Sequence, residues 1–474
     1  MSLVAPMSGT ELRLLRQRRK LSQAKLALLL EVPQAHLSQW ELEKIPVSDG
    51  IVDRVHSLLG SLDDGDVERL RKKRYQRHEY VVNGNGATRS VNHNESAIAA
   101  NRDYLGLLAK LEERRSHLQH DSPTAIALFA GCGGLSLGFS WAGFRVHGCV
   151  ELQPDFRAIY KQNFPNTREL GSDITRISDE QVAEWAAEFG PIDVLFGGPP
   201  CQGFSLTGKR DRFDPRNQLF RHFVRVAKIL QPRAILLENV RLLTSMKSQD
   251  GNLMKDEIGE AFSEFGYRMI HKELDAQDYG VPQHRERVFF MGVRGDSAVK
   301  LAFPVITHGE SHNGDLFASN LRPLRTFRVA TCDLEAIESG QKDLHDKWHE
   351  AVAHPQHVIE WLKDVPEGAS AHDNSDPAMR PPSGYNTTYK RLCWDEPAST
   401  VSTTFGMISG CRNVHPTNTR SLTVREALRC QSFPDTFKLV GSLGAVRTSI
   451  GNAVPPLLGY VLASHLKQTL LSQD

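Results

Sequence analysis

The sequence lacks a long apolar segment, a paired cysteine motif and an excess of charge of either sign. Its 474 residues include 57 Lys and Arg against 56 Asp and Glu, so the net charge alone does not indicate a nucleic-acid or membrane partner. A membrane helix needs about 20 consecutive apolar residues, and no stretch approaches that length. The seven cysteines are scattered, with no CxxC pair, which argues against a zinc cluster or a disulfide framework. No signal-peptide pattern opens the chain. We therefore expect a cytoplasmic protein without a membrane partner.

Residues 1–65 are predicted to form a small all-helical domain. Ser22 is a plausible N-cap for a helix with the apolar run Leu26–Leu30, and Pro33 closes a short turn before the next helix. Two short helices joined by a tight turn are typical of the helix-turn-helix. The stretch resembles Cro/repressor-like DNA-binding domains, which implies operator DNA as a partner and leaves dimerisation open; a helical bundle that serves only for dimerisation or as a cap is the alternative. The candidate DNA contacts on the second helix are Gln34, His36, Ser38 and Gln39.

Residues 66–123 are predicted to be a basic, partly helical linker. The run Arg69–Arg77 carries six basic side chains, which form either a solvated surface or a phosphate contact. A helix is expected over Tyr104–Gln119, with Leu105, Leu108 and Leu111 on one side.

From Thr124 onward, short apolar runs alternate with helical segments. The runs begin at Ala125, Phe144, Asp193, Ala234 and Arg287. Buried parallel strands have this continuous apolar character, so the pattern predicts an α/β fold with a Rossmann-like, doubly wound sheet. Such sheets bind ligands beyond the carboxyl ends of their strands.

The first strand is followed by a glycine-rich loop, Phe129–Gly134, and the second strand ends in Glu151. Glycines allow the backbone to approach a ligand closely, and a carboxylate at this position can accept hydrogen bonds from a ribose. Asp173, at the end of the third strand, could pair with an adenine amine. Ser136 occupies the place of the third glycine of a dinucleotide fingerprint. The pattern therefore favours a nucleoside cofactor without a pyrophosphate over a nicotinamide dinucleotide; a purely structural turn is the alternative.

Three reactive side chains are predicted at neighbouring strand ends. Cys201 follows two prolines, Glu238 ends a later strand, and Arg285 precedes another. Most cysteines are small buried hydrophobes, but a thiol, a carboxyl and a guanidinium together can support nucleophilic attack with acid assistance.

The order of these motifs resembles the C5-cytosine-specific DNA methyltransferases over residues 124–470. The resemblance rests on six blocks: Phe129–Gly134, Pro200-Cys201-Gln202, Glu238-Asn239-Val240, Gln283-x-Arg285-x-Arg287, Thr423-x-Arg425-Glu426 with the residues that follow, and Gly451–Pro456.

The resemblance implies that Cys201 adds to C6 of a flipped-out cytosine, that Glu238 protonates N3 and that Arg285 supports the ring. It also implies S-adenosylmethionine as the methyl donor, with no metal. Positive charge near the thiol, with Arg285 as the candidate, would lower the pKa of Cys201. The implied cofactor-binding residues are Phe129, Gly131, Gly133, Glu151, Asp173, Pro199, Leu219, Asn452 and Val454.

The same resemblance divides the rest of the chain. Residues 124–294 would form the catalytic domain, residues 295–421 a target recognition domain that reads bases in the major groove, and residues 422–474 the segment that completes the catalytic domain. The segment Gly203–Leu219 resembles a mobile catalytic loop, although Asp211-Arg212 departs from its usual glycine-bearing pattern. Its candidate phosphate contacts are Ser205, Lys209, Arg210 and Arg216.

The spacing of two histidines is one that metal-binding helices also show. His345 and His349 are four residues apart, which we interpret as a solvated helix face because no third ligand is evident.

The sequence therefore predicts a DNA (cytosine-5)-methyltransferase that acts on double-stranded DNA in a bacterial restriction–modification system. The helix-turn-helix domain, called the head domain below, is predicted to regulate transcription of the enzyme's own operon. A transcriptional regulator with an inactive methylase fold and an RNA cytosine methyltransferase are the alternatives.

Overall fold

A computed structural model describes residues 12–59 without 14, 17–18, 20, 22, 42–46 and 48, and residues 93–471 without 201–218, 249–250, 296–299, 310–320, 384–386 and 411. Cys201 and the four candidate phosphate contacts of the loop, Ser205, Lys209, Arg210 and Arg216, lie outside the described residues, as does the basic run Arg69–Arg77. The chain divides into two compact units: Met1–Gly86 with His372–Tyr385, and Ala87–Ala371 with Asn386–Asp474.

The named helices and strands follow the chain order. The helices are α1 (Gln23–Leu29), α2 (Gln34–Glu41), α3 (Asp49–Leu59), α4 (Glu95–Arg115), α5 (Gly134–Trp141), α6 (Pro154–Asn163), α7 (Asp179–Phe189), α8 (Leu219–Leu230), α9 (Met254–Ser263), α10 (Phe327–Thr331), α11 (Gln356–Leu362), α12 (Val424–Cys430), α13 (Leu443–Asn452) and α14 (Pro456–Leu471). The strands are β1 (Thr124–Leu128), β2 (Arg145–Val150), β3 (Arg168–Gly171), β4 (Val194–Gly197), β5 (Ala234–Val240), β6 (Tyr267–Asp275) and β7 (Glu286–Arg294).

The helical part of the first unit packs its apolar side chains into one small core. Leu26 of α1 and Leu30, which follows α1, belong to the same core as Leu37 and Trp40 of α2. Arg16 donates to both carboxylate oxygens of Glu41 at 2.5 and 2.9 Å. Because Glu41 is only 6% exposed, this ion pair satisfies a charge that would otherwise be costly to bury.

The large unit contains a seven-stranded sheet in the order β3-β2-β1-β4-β5-β7-β6. The first five strands are parallel neighbours, whereas β7 is antiparallel to both β5 and β6. The start of β7 therefore lies at the same edge of the sheet as the carboxyl ends of β1, β2, β4 and β5. This reversal brings residues that precede β7 beside residues that end β5.

Two apolar layers cover the faces of the sheet. Along β1, Ala125 and Ala127 face the layer that contains α5 and α14, while Ile126 and Leu128 face the layer that contains α7, α8 and α9. Since successive side chains of a strand point to opposite faces, this alternation shows that β1 is buried on both sides, as its continuous apolar run predicted.

Helix α4 lies within the predicted linker but packs into the apolar core of the large unit. It starts at Glu95, capped by Asn94, nine residues before the expected start at Tyr104. Tyr104, Leu108 and Leu111 are at most 2% exposed, and the Tyr104 hydroxyl donates to the carbonyl oxygen of Arg429 at 2.7 Å. The helix is therefore a part of the large unit.

The interpretation of His345 and His349 as one solvated helix face is wrong. Neither residue is helical, and His349 is only 1% exposed. Its ring nitrogens lie 3.0 Å from the Thr423 hydroxyl and 2.8 Å from the Glu335 carbonyl oxygen, so His349 is a buried, hydrogen-bonded side chain. Within the described residues, no group of three or more metal-ligating side chains is present, and no helix has the length and apolar character to cross a bilayer.

Candidate active site

A cavity of about 890 Å³ lies at the carboxyl ends of β1, β2, β4 and β5. It is lined both by residues predicted to bind the cofactor and by residues predicted to act on the substrate. The former are Phe129, Gly131, Glu151, Asp173, Pro199, Leu219, Asn452 and Val454, and the latter are Glu238 and Arg285. The fold thus brings together positions more than 300 residues apart.

The glycine loop after β1 has the backbone conformation that its composition predicted. Gly131 and Gly133 have φ angles of +58° and +97°, which side chains disfavour. A Cβ atom on Gly131 would meet nothing within 4 Å, whereas one on Gly133 would come within 2.3 Å of the Phe164 ring. Gly131 therefore opens onto the cavity, and Gly133, which does not line it, allows the loop to pack against Phe164.

The second close approach of this loop is made by Gly134, at the start of α5. A Cβ atom there would lie 2.4 Å from the Val454 carbonyl oxygen. The absence of a side chain thus allows the C-terminal segment around Val454 to reach the loop and to close one side of the cavity.

Glu151 stands at the end of β2 and holds the glycine loop in place. Its carboxylate oxygens accept hydrogen bonds from the backbone amides of Gly131 and Gln153, each at 2.8 Å. Burial raises the pKa of Glu151, and these two amides oppose the shift. Each carboxylate oxygen can accept more than one hydrogen bond, so both remain able to accept from a ribose.

Asp173 lies beyond β3 on the same side of the cavity. Its carboxylate accepts from both the hydroxyl and the amide of Thr175 at 2.7 and 3.0 Å. The Thr175 hydroxyl in particular lowers the pKa of Asp173. A carboxylate that stays ionised is a suitable acceptor for an exocyclic amine.

Glu238 is the acidic residue in the part of the cavity that is predicted to act on the substrate. Burial raises its pKa, and the guanidinium groups of Arg287 and Arg285 oppose the shift. A Cβ atom on Gly198 would lie 2.6 Å from the Glu238 Oε2 atom. Gly198 therefore permits the strand end that leads into Pro200 to run directly beside this carboxyl group.

Arg287, rather than Arg285, is the ion-pair partner of Glu238. The Arg287 Nε atom lies 3.2 Å from Glu238 Oε1. Arg285 is 1% exposed, and its two terminal nitrogens donate to the carbonyl oxygens of Val401 at 3.2 Å and Gly451 at 2.8 Å. Both arginines belong to one sequence motif, and the resemblance implied a catalytic role for Arg285 only.

Arg285 and Gln283 instead join three distant segments around the cavity. The Gln283 side chain accepts from the Val401 amide at 2.8 Å and donates to Gln431 at 3.0 Å. Together with the bonds of Arg285 to Val401 and Gly451, these contacts fix the segment that carries Thr403, which lines the cavity.

Asn239 connects the strand of Glu238 to the loop that precedes Cys201. Its side-chain amide donates to the Pro199 carbonyl oxygen at 2.9 Å, and the residue is 4% exposed. Several further cavity residues carried no recognisable sequence signal, because their types are common at surfaces: Gln153, Asp155, Thr403, Ala445, Thr448 and Ser449.

The predicted DNA contacts of the head domain lie on α2. His36 and Gln39 are exposed and Ser38 is half-buried, whereas the side chain of Gln34 lies outside the described residues. Leu37 and Trp40 are buried on the opposite side, so α2 presents a polar face to solvent.

Comparison with known proteins agrees with this geometry. Residues 124–468 match the family of C-5 cytosine-specific DNA methylases, and residues 12–64 match a helix-turn-helix family. Type II methyltransferase M1.HphI of Haemophilus parahaemolyticus is 38% identical over 346 residues, which are 72% of this chain and 86% of that protein. Type II methyltransferase M.DdeI of Desulfomicrobium norvegicum is 32% identical over 380 residues, covering 72% of this chain and 88% of that protein.

A crystal structure with a similar fold is that of an E. coli protein described as a DNA modification methyltransferase encoded within a prophage. It superposes with a TM-score of 0.57 at 25% identity and covers 74% of this chain and 100% of that one. Fold and site thus define a methyltransferase. The chain belongs to the C-5 cytosine-specific DNA methylase family, and its activity is the transfer of a methyl group to C5 of cytosine in DNA.

Proposed function

We propose that the protein is the modification methyltransferase of a bacterial restriction–modification system, that it uses S-adenosylmethionine, and that its head domain binds operator DNA. The observation that supports the enzymatic part most directly is a cavity that contains both the glycine loop and the Glu238–Arg287 pair. The Type II methyltransferases similar to this chain support the biological setting.

The residues around the glycine loop fit S-adenosylmethionine. Glu151 would accept from the ribose hydroxyls, Asp173 from the adenine amine, and Gly131 leaves the space that a ligand beside the loop needs. Pro199, Leu219, Asn452 and Val454 would line the remainder. When bound there, the cofactor supplies an electrophilic methyl group on its sulfonium.

The substrate end fits a flipped-out cytosine. The Cys201 thiolate would form a bond to C6, while Glu238, whose raised pKa favours the protonated carboxyl, would give a proton to N3. The electron pair of the former C5–C6 double bond then resides at C5, which becomes nucleophilic. After methylation, loss of the C5 proton restores the double bond and expels Cys201. Arg287 would hold the Glu238 carboxyl in position, and Arg285 would act through the backbone of Val401 and Gly451.

Covalent trapping tests this chemistry. Duplex DNA with 5-fluorocytosine in the target sequence should form a stable adduct with the protein when S-adenosylmethionine is present, because fluorine cannot leave as the C5 proton does. Bisulfite sequencing of DNA from cells that express the protein supplies the target sequence beforehand. The C201S variant should form no adduct, since a hydroxyl is a far poorer nucleophile at neutral pH. An adduct with C201S equal to that of the unchanged protein would reject Cys201 as the nucleophile.

The regulatory part of the proposal rests on the polar face of α2 and on the helix-turn-helix match. His36, Ser38, Gln39 and Gln34 would read an operator upstream of the gene. Binding of upstream DNA by the H36A/Q39A double variant should be at least tenfold weaker than binding by the unchanged protein, with methyl transfer retained. Equal affinities would remove the operator-binding role; the dimer suggested by two-fold operators stays a prediction.

A further inference from the structure

We propose that Arg241 binds a backbone phosphate of the substrate DNA at the rim of the active-site cavity, and that Glu286 holds this guanidinium until DNA arrives. This proposal rests on the proposed function, in which a base of duplex DNA enters the cavity.

Arg241 is placed beside the cavity by the register of two strands. Val240, the last residue of β5, lines the cavity and pairs with Arg287 of β7. Arg241 follows Val240, and Glu286 precedes Arg287. Arg241 and Glu286 therefore lie farther from the centre of the sheet than the Glu238–Arg287 pair. They lie at the same end of the strands as the cavity.

The outer ion pair differs from the inner one in exposure. The side chains of Arg287 and Glu238 are 17% and 13% exposed, whereas those of Arg241 and Glu286 are 52% and 42% exposed at an Nε–Oε2 distance of 3.2 Å. An ion pair this exposed contributes little to stability, because water screens the two charges. A phosphate can therefore take the place of Glu286 at little cost, and a guanidinium binds phosphate with two parallel hydrogen bonds.

A flipped-out base stays attached to its strand, so the DNA backbone must lie against the rim of the cavity that the base enters. Acidic side chains of β6 lie beside the outer ion pair, since Asp275 is the register partner of Glu286. Glu273 accepts from the Thr244 hydroxyl at 2.9 Å, and Asp275 lies 2.5 Å from the His284 ring. Together with Glu286 these carboxylates repel the backbone, and Arg241 supplies positive charge among them.

A second exposed Arg–Glu ion pair, on the outermost strand β3, provides a matched control. Arg168 begins the parallel strand β3 and pairs with Glu188, and their side chains are 54% and 50% exposed. This pair resembles Arg241–Glu286 in type and exposure. Because Arg168 is at the amino end of its strand, it lies away from the cavity edge.

The test measures the KM of full-length protein for duplex DNA in methyl transfer, as a function of salt concentration, for the R241Q, E286Q and R168Q variants. The KM is chosen because it reports DNA bound productively at the cavity, whatever the head domain binds. Loss of one phosphate contact should raise the KM of R241Q roughly three- to tenfold at low salt and reduce the slope of log KM against log salt by about 0.9. E286Q should lower the KM roughly two- to fivefold, and R168Q should match the unchanged protein.

The proposal is overturned if R241Q keeps the salt dependence of the unchanged protein, if R168Q loses as much as R241Q, or if E286Q weakens binding. Unaltered binding of S-adenosylmethionine to R241Q, measured by calorimetry, shows that a change in KM is not due to misfolding. A failure of the proposed function would show itself differently, as absence of methyl transfer by the unchanged protein.

Discussion

Arg285 and Arg287 are separated by one residue, yet their guanidinium groups have different partners. Arg287 pairs with the Glu238 carboxyl, and Arg285 donates to two backbone carbonyls. The motif alone could not distinguish them, because both positions carry the same residue type and both precede apolar positions of β7. Only the register of β7 against β5 places one of them beside Glu238.

This difference predicts that R287Q mainly loses activity, whereas R285Q mainly loses stability. R287Q should reduce the single-turnover rate of methyl transfer about 100-fold, because Glu238 loses the group that positions it, with a small change in stability. R285Q leaves two buried carbonyls without their donor, which should lower the free energy of unfolding by about 2–4 kcal/mol. Thermal melts and quench-flow rates on both variants check this; a more severe catalytic loss without destabilisation in R285Q would contradict it.

The acid role of Glu238 predicts a specific pH dependence. Because burial raises the pKa of Glu238, the carboxyl stays protonated to a higher pH than an exposed glutamate does. The single-turnover rate of the unchanged protein should therefore fall as the pH rises through this raised pKa. E238Q, which cannot ionise, should be slower by about 100-fold or more and should lack that fall. A profile for E238Q with the same fall would assign the titration to another group.

At the scale of elements, α4 shows how a segment outside the matched family region can belong to the catalytic core. Asn101 donates to the Val329 carbonyl oxygen and to Asp333 at 3.0 and 2.9 Å. Glu112 accepts from the Trp141 indole at 2.9 Å. The helix therefore contacts both α5, which follows the glycine loop, and the segment around α10.

These contacts predict where the chain can be shortened. Deletion of residues 1–92 should leave a folded methyltransferase, whereas deletion of residues 1–115 removes α4 and exposes the apolar partners of Tyr104, Leu108 and Leu111. At roughly 1.5–3 kcal/mol per buried side chain, the loss is comparable with the whole stability of a domain. Soluble expression and thermal melts compare the two; equal melting temperatures would contradict the core role of α4.

The strands show which elements a sequence can reveal. β1, β4 and β5 are buried on both faces and are continuous apolar runs, so their pattern predicted them. β6 escaped prediction because it is an edge strand with exposed polar positions such as Arg268 and Lys272, and its composition resembles that of a surface loop. The antiparallel course of β7 was equally hidden, since strand direction depends on pairing rather than on local composition.

At the scale of the whole molecule, the order of the motifs predicted which residues form the candidate site. The contacts between these distant residues could be described only from the fold. The sequence placed Gly131 and Val454 in one pocket by resemblance alone. The structure supplies the physical reason, which is that Gly134 has no side chain and the Val454 carbonyl fills that space. The roles of Thr403 and Asn239 could not be predicted, because they depend on contacts between distant segments.

Two buried histidines, His308 and His415, and the half-buried His354 predict how the stability of the protein depends on pH. Burial lowers the pKa of His308 to about 4 and also lowers the pKa values of His354 and His415. Below the ordinary pKa of 6.5, the unfolded chain takes up protons that the folded protein does not, so stability falls as the pH decreases from 7 toward 4.5. For His308 alone the loss is about 2 kcal/mol at pH 5.

The variant H308Q tests this dependence against a surface control. His308 is 4% exposed and its Nδ1 atom lies 2.9 Å from the Thr307 hydroxyl, whereas His345 is exposed. H308Q should be less stable at pH 7.5, because its packing is altered, but its melting temperature should fall less between pH 7.5 and 5 than that of the unchanged protein. H345Q should keep the original dependence. A parallel fall for H308Q and the unchanged protein would show that His308 binds its proton equally in the folded and unfolded states.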